Sequence, residues 1–321
     1  MSRVTLQHIA EHVGVSKYAV SRSLSGKDGV SESTRRTVEL AARELGYVAP
    51  VAPRQTHRIQ LVLHDHDPVN SEVQIRIQRG IQREAHRTGH PIEMQWAHEP
   101  GQIDEISRRG DPLILVGPHA PLPRVRNTPM VKVASIDPLE PIDQITSASS
   151  EATAALGLRL VALGHRDIVY LEGNGGLRGR ADRFLAMQNA LTDIEGVKLH
   201  RLRFPEDGGF VDAFTALRAS GAQPTVLVAG NDWMAVGIIS ELLRIGLRVP
   251  RDISVVGYGD YAAATQITPQ LTTIRVPGEE MGIAAFQLLL ERIERPRPDT
   301  ASYRRVLICP QIIERHSLAP L

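Results

Sequence analysis

Residues 4–24 read VTLQHIAEHVGVSKYAVSRSL and contain two short helix patterns that are interrupted at Gly14. Apolar residues from Leu6 to Val13 recur at helical spacing, so they form one face that can pack inward. Thr5 precedes this pattern as a suitable N-cap, and Gly14 supplies the tight turn that follows it. The stretch therefore predicts a helix-turn-helix unit near the start of the chain.

The second helix of this unit is capped by Ser16 and buries Val20 and Leu24, which lie one turn apart. Its outward face carries four hydrogen-bonding side chains, namely Lys17, Tyr18, Ser21 and Arg22. In a helix-turn-helix the second helix enters the major groove, and residues near its N-terminus meet the base edges. We therefore expect Lys17 and Tyr18 to read bases.

A third helical pattern begins after the N-cap candidate Ser31 and ends at Gly46. Its apolar residues recur at the same helical spacing, so the three helices can close a small core of the kind found in DNA-binding heads. The candidate DNA-binding residues of this head are Thr5, Ser16, Lys17, Tyr18, Ser21, Arg22 and Ser31. The alternative is a small helical unit with a solvated polar face.

The composition indicates two or three domains, because 321 residues exceed the usual size of one domain, about 100–200 residues. The hydrophobic share of 42% is sufficient for substantial cores. Residues 1–58 hold nine Lys or Arg against five Asp or Glu, whereas the rest of the chain holds 28 against 31. The N-terminal segment is therefore the part suited to phosphates, although a solvated basic surface explains the same asymmetry.

Cysteine content and hydropathy are typical of a cytoplasmic protein. The one cysteine, Cys309, excludes an intrachain disulfide, and its strand-like setting predicts a buried, structural thiol. The N-terminus lacks the apolar segment of a signal peptide, and nowhere do 18 apolar residues run together. We therefore expect a cytoplasmic protein without a membrane partner.

Beyond the head, short β-rich runs alternate with helical patterns, which predicts a parallel, doubly wound sheet and an α/β fold. The predicted strands are 59–63, 92–96, 113–116, 130–133, 168–171, 198–202, 226–228, 253–256 and 304–308. Two similar α/β halves follow from this series. Ligands of such folds bind at the carboxyl ends of the strands, so the loops after each strand are the place to seek chemistry.

The chain is thus predicted to contain a head, a linker and a two-lobed core. The head covers residues 1–48, the linker 49–58 and the core 59–321, with a first lobe of about 59–162 and 276–297 and a second lobe of about 163–275 and 298–321. The linker carries Pro50 and Pro53, which remove backbone donors and disfavour helix in the preceding residues. An extended linker is therefore expected.

Five stretches of the chain resemble, in the same order, the lactose repressor family of transcriptional regulators. They read VSKYAVSR (15–22), LGHRDI (163–168), NDWMAVG (231–237), DISVVGYGD (252–260) and LTTI (271–274). The resemblance implies a homodimer whose heads bind a near-palindromic operator. It also implies a core similar to periplasmic sugar-binding proteins of type I, whose cleft takes a small, carbohydrate-like effector. A repressor without a cofactor is expected, with a non-sugar effector or an activator as alternatives.

The resemblance also places effector contacts in the cleft. Arg180 lies where the family has the arginine of an Arg-x-x-Gly-aromatic stretch, while Asn231 and Asp260 follow two predicted strands. Phe184 and Trp233 are aromatic candidates near the same cleft. Each has a structural alternative: a surface salt bridge for the arginine, a helix cap for the asparagine, a turn residue for the aspartate and packing for the two aromatic residues.

Three features depart from the family. The linker lacks the leucine of the usual hinge helix. Arg183 replaces the glycine that usually precedes the aromatic residue, and because it adds a positive charge, carboxylate or phosphate effectors also merit testing. The run from His64 to Asp67 contains two histidines and two aspartates. Successive side chains of a strand point to opposite faces, so the histidines would lie on one face and the aspartates on the other, which argues against a metal site. His64 and Asp65 are therefore candidate effector contacts, with a solvated loop as the alternative.

Two other classes of protein fit the sequence poorly. The glycine-rich run at 173–179 lacks the Gly-x-Gly-x-x-Gly spacing of a dinucleotide loop, and no nucleophile elbow is present, so we expect no enzyme activity. A transport-type binding protein would share the two-lobed core. It would carry a signal peptide instead of a helix-turn-helix head.

Overall fold

The computed structural model describes residues 4–25, 28–47, 56–64, 71–124, 126–135, 137–174, 178–205, 208–296, 298 and 302–321. Two compact units divide the chain, Met1–Gln55 and Thr56–Leu321. Residues 49–55 of the predicted linker lie outside the described residues. The boundary between the two units lies within the predicted linker, residues 49–58.

The first unit contains the three predicted helices, which are α1 (Leu6–Val13), α2 (Lys17–Leu24) and α3 (Glu32–Glu44). Each begins at its predicted N-cap, because the hydroxyls of Thr5, Ser16 and Ser31 accept backbone hydrogen bonds at 3.4, 3.1 and 3.2 Å. Gly14 ends α1 at a φ of 72°, a conformation that residues with a Cβ rarely adopt. The shared core consists of Ile9, Ala10, Val20, Val38, Ala41 and Ala42.

The first lobe of the core is a six-stranded parallel sheet with helices on both faces. Its strands are β1 (Ile59–Leu63), β2 (Ile92–Trp96), β3 (Leu113–Val116), β4 (Met130–Val133), β5 (Asp143–Ser147) and β11 (Arg305–Ile308), in the order β11-β5-β4-β3-β1-β2. Its helices are α4 (Ser71–Thr88), α5 (Pro100–Arg108) and α11 (Gly278–Glu294). β1 and β3 are fully buried, as strands covered on both faces must be.

The second lobe repeats this architecture. Its strands are β6 (Asp167–Gly173), β7 (Lys198–Arg203), β8 (Val226–Ala229), β9 (Ser254–Gly259), β10 (Thr272–Arg275) and β12 (Gln311–Ile313), in the order β12-β10-β9-β8-β6-β7. Its helices are α6 (Ser149–Ala162), α7 (Arg178–Leu191), α8 (Phe210–Ala219), α9 (Asp232–Arg244) and the short α10 (Ala263–Gln266). Only the pairing of β10 with β12 is antiparallel among these strands. The α/β fold with two doubly wound lobes is confirmed.

The predicted lobe boundaries need two corrections. Helix α6 belongs to the second lobe, because Leu156 and Leu160 are buried in one apolar cluster with Phe184 and Met187 of α7. Strand β11 belongs to the first lobe, because it pairs in parallel with β5. Both assignments depend on which sheet covers an apolar face, and the apolar pattern of the element itself does not contain that information.

The chain passes between the two sheets at three places: between β5 and α6, between β10 and α11, and between β11 and β12. Cys309 lies at the third passage and is exposed, so the prediction of a buried thiol is wrong. The run of apolar residues before it is a short edge strand with alternating exposure, which explains the difference. Three neighbouring passages are an arrangement that lets two lobes change their relative angle.

Helices α4 and α11 pack against each other through glycines. A Cβ at Gly80 would lie 2.0 Å from the carbonyl oxygen of Glu279, and one at Gly282 would lie 2.1 Å from that of Ile77. No real Cβ makes contacts this short, so the backbones approach too closely for any larger residue. The glycines therefore determine how closely the two helices pack on the first sheet.

Candidate functional site

The outward face of α2 presents the predicted DNA-binding side chains. Lys17 and Ser21 are exposed, and Tyr18 is 68% exposed. Arg22 is half-buried, because its Nε donates to the carbonyl oxygen of Asp28 at 2.6 Å and its Nη1 donates to the Tyr18 hydroxyl at 2.7 Å. The guanidinium carbon lies 5.3 Å from the centre of the Tyr18 ring. Tyr18 and Arg22 thus form one preorganised pair on the helix.

The cleft between the two lobes of the core encloses a cavity of about 220 Å³. Its apolar lining comes from α4, the carboxyl ends of β3 and β4, and α11; the residues are Val73, Ile77, Val116, Pro118, Ala134, Val276 and Met281. Its polar lining consists of Gln74, Thr146, Ser147, Ser149, Arg183, Tyr258 and Tyr261. A concave, mainly apolar site with a few convergent polar groups is typical of a small-molecule pocket.

Direct hydrogen bonds join the two lobes at the edge of this cavity. Arg76 of α4 donates through Nη1 to the carbonyl oxygen of Gly259 at 3.0 Å and through Nη2 to that of Asp260. Glu72 accepts a bond from the backbone N–H of Ala262 at 2.9 Å. These bonds connect the first lobe to the loop that follows β9, so they favour the closed arrangement of the cleft.

Arg183 is the one guanidinium in the cavity lining among the described residues. It is only 7% exposed, and it donates to the carbonyl oxygens of Gly179 at 3.1 Å and Gly230 at 2.9 Å. Its guanidinium carbon lies 3.5 Å from the centre of the Tyr258 ring. Arginine at position 183, where the family usually has glycine, therefore places a buried positive charge at the cavity wall.

Asp260 lies beside the cavity, but its carboxylate already has two partners. Arg275 donates to it at 2.7 Å and Arg315 at 2.6 Å. Burial alone would raise the pKa of Asp260, but the two arginines hold it below its usual range. The aspartate thus anchors the loop after β9 in this structure and is not part of the cavity lining.

Asn231 acts as a helix cap. Its side-chain oxygen accepts the backbone N–H of Met234 at 2.8 Å at the start of α9, and the residue is 4% exposed. Trp233 is 51% exposed and lines a separate groove with Phe204 and Phe210. The structure therefore supports the structural alternative for the asparagine and places the tryptophan outside the cavity lining.

Arg180 and Phe184 also lie outside the cavity lining. The Arg180 guanidinium is buried and donates to the carbonyl oxygen of Glu172 at 2.9 Å. Phe184 is 5% exposed and packs beside Tyr170, with the guanidinium of Arg201 over its ring. Both residues support the wall on which Arg183 lies and do not form its surface.

His64 lies at the carboxyl end of β1, and its Nδ1 is 2.6 Å from the carbonyl oxygen of Ala97. The predicted contact Asp65 lies outside the described residues, as do the other members of that run, His66 and Asp67. Within the described stretches, no group of three or more His, Cys, Asp or Glu is arranged to hold a metal ion. The same stretches contain no helix long and apolar enough to cross a membrane.

Several residues in or beside the cavity are not among the candidates from the sequence. Tyr258 falls within a stretch that carries the resemblance, and Tyr261 follows it directly, so their position after a predicted strand was an available signal. Gln74 and Arg76 lie on α4, where a polar residue facing the cleft looks the same in sequence as one facing solvent. Their role depends on the approach of the second lobe, which no local pattern predicts.

Asp232 next to the cleft predicts a pH effect on stability. Burial raises the pKa of Asp232 from an ordinary 3.8 to about 6. The folded chain then binds this proton more tightly than the unfolded chain, so the contribution to stability is present below pH 4 and is lost as pH rises to 6. A shift of this size corresponds to about 2–3 kcal/mol. Urea unfolding of wild type and Asp232→Asn between pH 4 and 7 measures the difference.

We expect the variant to gain stability relative to wild type as pH rises through this window. The comparison cancels titrations common to both proteins, such as that of His165, whose pKa burial lowers. The contribution of Asp260 has the opposite sign and is lost only as pH falls below its usual range. Parallel stability curves for wild type and Asp232→Asn would contradict the prediction.

Comparison with known proteins agrees with both units. Residues 5–49 match the family described as bacterial regulatory proteins, lacI family, and residues 158–318 match the periplasmic binding protein-like domain. The HTH-type transcriptional repressor PurR of Proteus mirabilis is 29% identical over 98% of this chain and 97% of its own length.

Two solved structures extend the likeness over nearly the whole chain. The transcriptional regulator CelR in complex with cellobiose is 25% identical, with a TM-score of 0.66 over 98% of this chain and all of that one. The Lac repressor bound to ONPG in its repressed state is 26% identical, with a TM-score of 0.66 over 99% of this chain and all of that one.

A helix-turn-helix head on a two-lobed, periplasmic binding protein-like core defines a class of DNA-binding regulators with a small-molecule pocket. Both domains match their family models in the expected order along the chain. The chain belongs to the lacI family of bacterial regulatory proteins.

Proposed function

We propose that the chain represses transcription and that a small effector in the cavity between its lobes sets its affinity for operator DNA. The observation that supports this most strongly is the position of the cavity. It lies at the passages between the two sheets, where Ser147, Ser149 and Val276 line it. A molecule bound there contacts both lobes, so it favours one lobe arrangement over another. The relatives are named as repressors or regulators, and the proposal includes no catalytic role.

The DNA partner is a near-palindromic operator bound by a homodimer in the cytoplasm. The outward face of α2 supplies the base contacts, with Lys17, Tyr18, Ser21 and the half-buried Arg22 as the contacting set. The capping residues Thr5, Ser16 and Ser31 hold the helix ends whose backbone N–H groups face phosphates. The edge strand β2 carries exposed Met94 and Trp96, an apolar surface that supports assembly of two copies.

The effector is a compact, carbohydrate-like molecule with about one ring. The cavity of about 220 Å³ is smaller than the roughly 300–1,000 Å³ of sites for drug-sized ligands. Gln74, Thr146 and Ser147 supply hydrogen bonds from the first lobe, while Tyr258 and Tyr261 supply aromatic edges and hydroxyls from the second. The relative CelR was solved with cellobiose, which supports the carbohydrate class.

A screen of single-ring compounds tests this function. Thermal shift of the full chain identifies compounds that bind, and an operator titration with each bound compound measures its effect on DNA affinity. We expect at least one compound to change operator affinity by the 5- to 150-fold that is typical of about 1–3 kcal/mol of coupling. Compounds that bind without changing operator affinity would contradict the proposed regulation.

Arg76→Met is expected to weaken effector binding. The variant loses the two bonds from Arg76 to the loop after β9, so the closed cleft becomes less favourable. Each net hydrogen bond contributes about 0.5–1.5 kcal/mol, so the loss of both predicts a loss of affinity of about 5- to 150-fold. Isothermal titration with the best compound of the screen measures this loss.

Arg83→Met is the matched control for this prediction. Arg83 lies on the same helix, but its partner Glu279 is also in the first lobe and the pair is exposed. The control removes the same charge without touching a contact between lobes. An equal loss of effector affinity in both variants would rule out a specific role for Arg76 in closure.

A further inference from the structure

The guanidinium of Arg183 is a buried charge without a carboxylate partner. Among the described residues, no Asp or Glu forms an ion pair with it, and its bonds go to the carbonyl oxygens of Gly179 and Gly230. The ring of Tyr258 covers one face of the guanidinium. Burying a charge in this way is costly unless a counter-charge is supplied.

The carboxylates around the cavity are already engaged elsewhere. Asp260 accepts bonds from two arginines, Arg275 and Arg315. Asp232 accepts the backbone N–H of Tyr261 at 2.7 Å and the hydroxyl of Thr273 at 2.6 Å. Glu72, at the cavity edge, accepts the backbone N–H of Ala262 at 2.9 Å. None of these three carboxylates forms an ion pair with Arg183, and the cavity wall has a positive charge to offer a ligand.

We propose that the effector carries an anionic group, a carboxylate or a phosphate, that binds Arg183. This rests on the proposed function, since it concerns the same cavity. The guanidinium offers its remaining N–H groups to the anion, and such charge-assisted bonds are stronger than neutral ones. The ring of the effector then lies against the apolar wall from the first lobe, with Tyr258 and Tyr261 on the other side.

An anionic effector would also explain why position 183 carries an arginine. The two carbonyl acceptors, of Gly179 and Gly230, require only a neutral donor, and the contact with the Tyr258 ring offsets the burial of a full charge only in part. A neutral donor would avoid the desolvation of a full charge. The arginine is therefore better explained by an anion that enters and leaves the cavity.

Matched pairs of neutral and anionic compounds test the proposal on the full chain. The probes are glucose with glucuronate and glucose 6-phosphate, ribose with ribose 5-phosphate, and inorganic phosphate alone. Thermal shift and isothermal titration are measured at constant ionic strength. We expect an anionic member to bind at least 10-fold more tightly than its neutral parent. The uronate and phosphate arms then distinguish a carboxylate effector from a phosphate effector.

Three variants connect this preference to Arg183. Arg183→Gln is expected to lower affinity for the anionic probe by about 10- to 100-fold, while Arg183→Lys retains part of it. Arg178→Gln is the control, because it removes the same charge from an exposed position on the same helix. We expect this control to bind the anionic probe within 2-fold of wild type.

Three results would overturn the proposal. The first is equal affinity for neutral and anionic probes, and the second is unchanged affinity of Arg183→Gln for the anionic probe. The third is a change in melting temperature on adding inorganic phosphate that is the same in wild type and Arg183→Gln. Neutral sugars that bind wild type and Arg183→Gln equally and still change operator affinity would remove this inference alone. Failure of every bound compound to change operator affinity would instead remove the proposed function.

Discussion

Arg22→Ala lowers operator affinity by about 5- to 150-fold and leaves effector binding unchanged. A bidentate contact between an arginine and a base provides about 1–3 kcal/mol of discrimination, which corresponds to this range. In the free chain, Tyr18 and the Asp28 carbonyl already hold the guanidinium, so little side-chain entropy is lost on binding. Fluorescence anisotropy with a labelled operator duplex measures the DNA affinity, and thermal shift with the effector measures the core.

Arg36→Ala provides the matched control for this result. Arg36 lies on α3 and is more than two-thirds exposed, and its ion-pair partner among the described residues is Glu32 on the same helix. The control removes the same charge from the head, so it reports the general attraction to phosphates. Equal losses in Arg22→Ala and Arg36→Ala would show that charge alone accounts for the effect. Circular dichroism of both variants checks that the head stays folded.

Gly80→Ala is expected to destabilise the core by about 1–3 kcal/mol or more. The new Cβ would lie 2.0 Å from the Glu279 carbonyl oxygen, and backbone atoms cannot move aside as a flexible side chain can. Helices α4 and α11 would have to separate, and the apolar contacts between them and the first sheet would weaken. Urea unfolding of the full chain measures the change in unfolding free energy.

Gly237→Ala should have the opposite effect. Gly237 lies within α9, and a Cβ there meets nothing within 4 Å. Alanine is more stable than glycine in a helix by roughly 0.5–1 kcal/mol, so this variant should gain about that amount. If Gly80→Ala were as stable as Gly237→Ala, the close approach of α4 and α11 would be wrong.

The parts of the fold that the sequence predicted correctly depend on local rules. Thr5, Ser16 and Ser31 precede apolar residues at helical spacing, and each caps a helix in the structure. The apolar runs at 59–63 and 113–116 are buried strands, because parallel sheets require strands that are apolar on both faces. Local chemistry is sufficient in these cases, since the hydrogen bonds and the periodicity involve neighbours in sequence.

The assignments that failed depend on distant contacts. Strands β5, β10 and β12 were not predicted, since 143–147, 272–275 and 311–313 are short and partly polar. Helix α6 was placed with the wrong lobe because its apolar face packs on α7, which follows it in the chain. Contacts of this kind are determined by the whole fold, and short segments carry little information about them.

None of the described candidate effector residues lines the cavity. The resemblance pointed mainly to loops after the strands of the second lobe, whereas the apolar lining of the cavity comes from the first lobe. The chosen Asn231 caps a helix, and the chosen Asp260 is paired with Arg275 and Arg315. A polar residue near a cleft has several possible partners, and only the three-dimensional arrangement decides among them. Arg183 stands out in the sequence because it departs from the family pattern.

A titration of the full chain with DNA tests operator binding most directly. A duplex selected from a random library is labelled, and anisotropy is measured at several salt concentrations with a scrambled duplex of equal length as competitor. We expect selection of a two-fold symmetric sequence, tighter binding to it than to the scrambled duplex, and affinity that falls as salt rises. No sequence preference at any salt concentration would contradict the assignment of this chain as an operator-binding regulator.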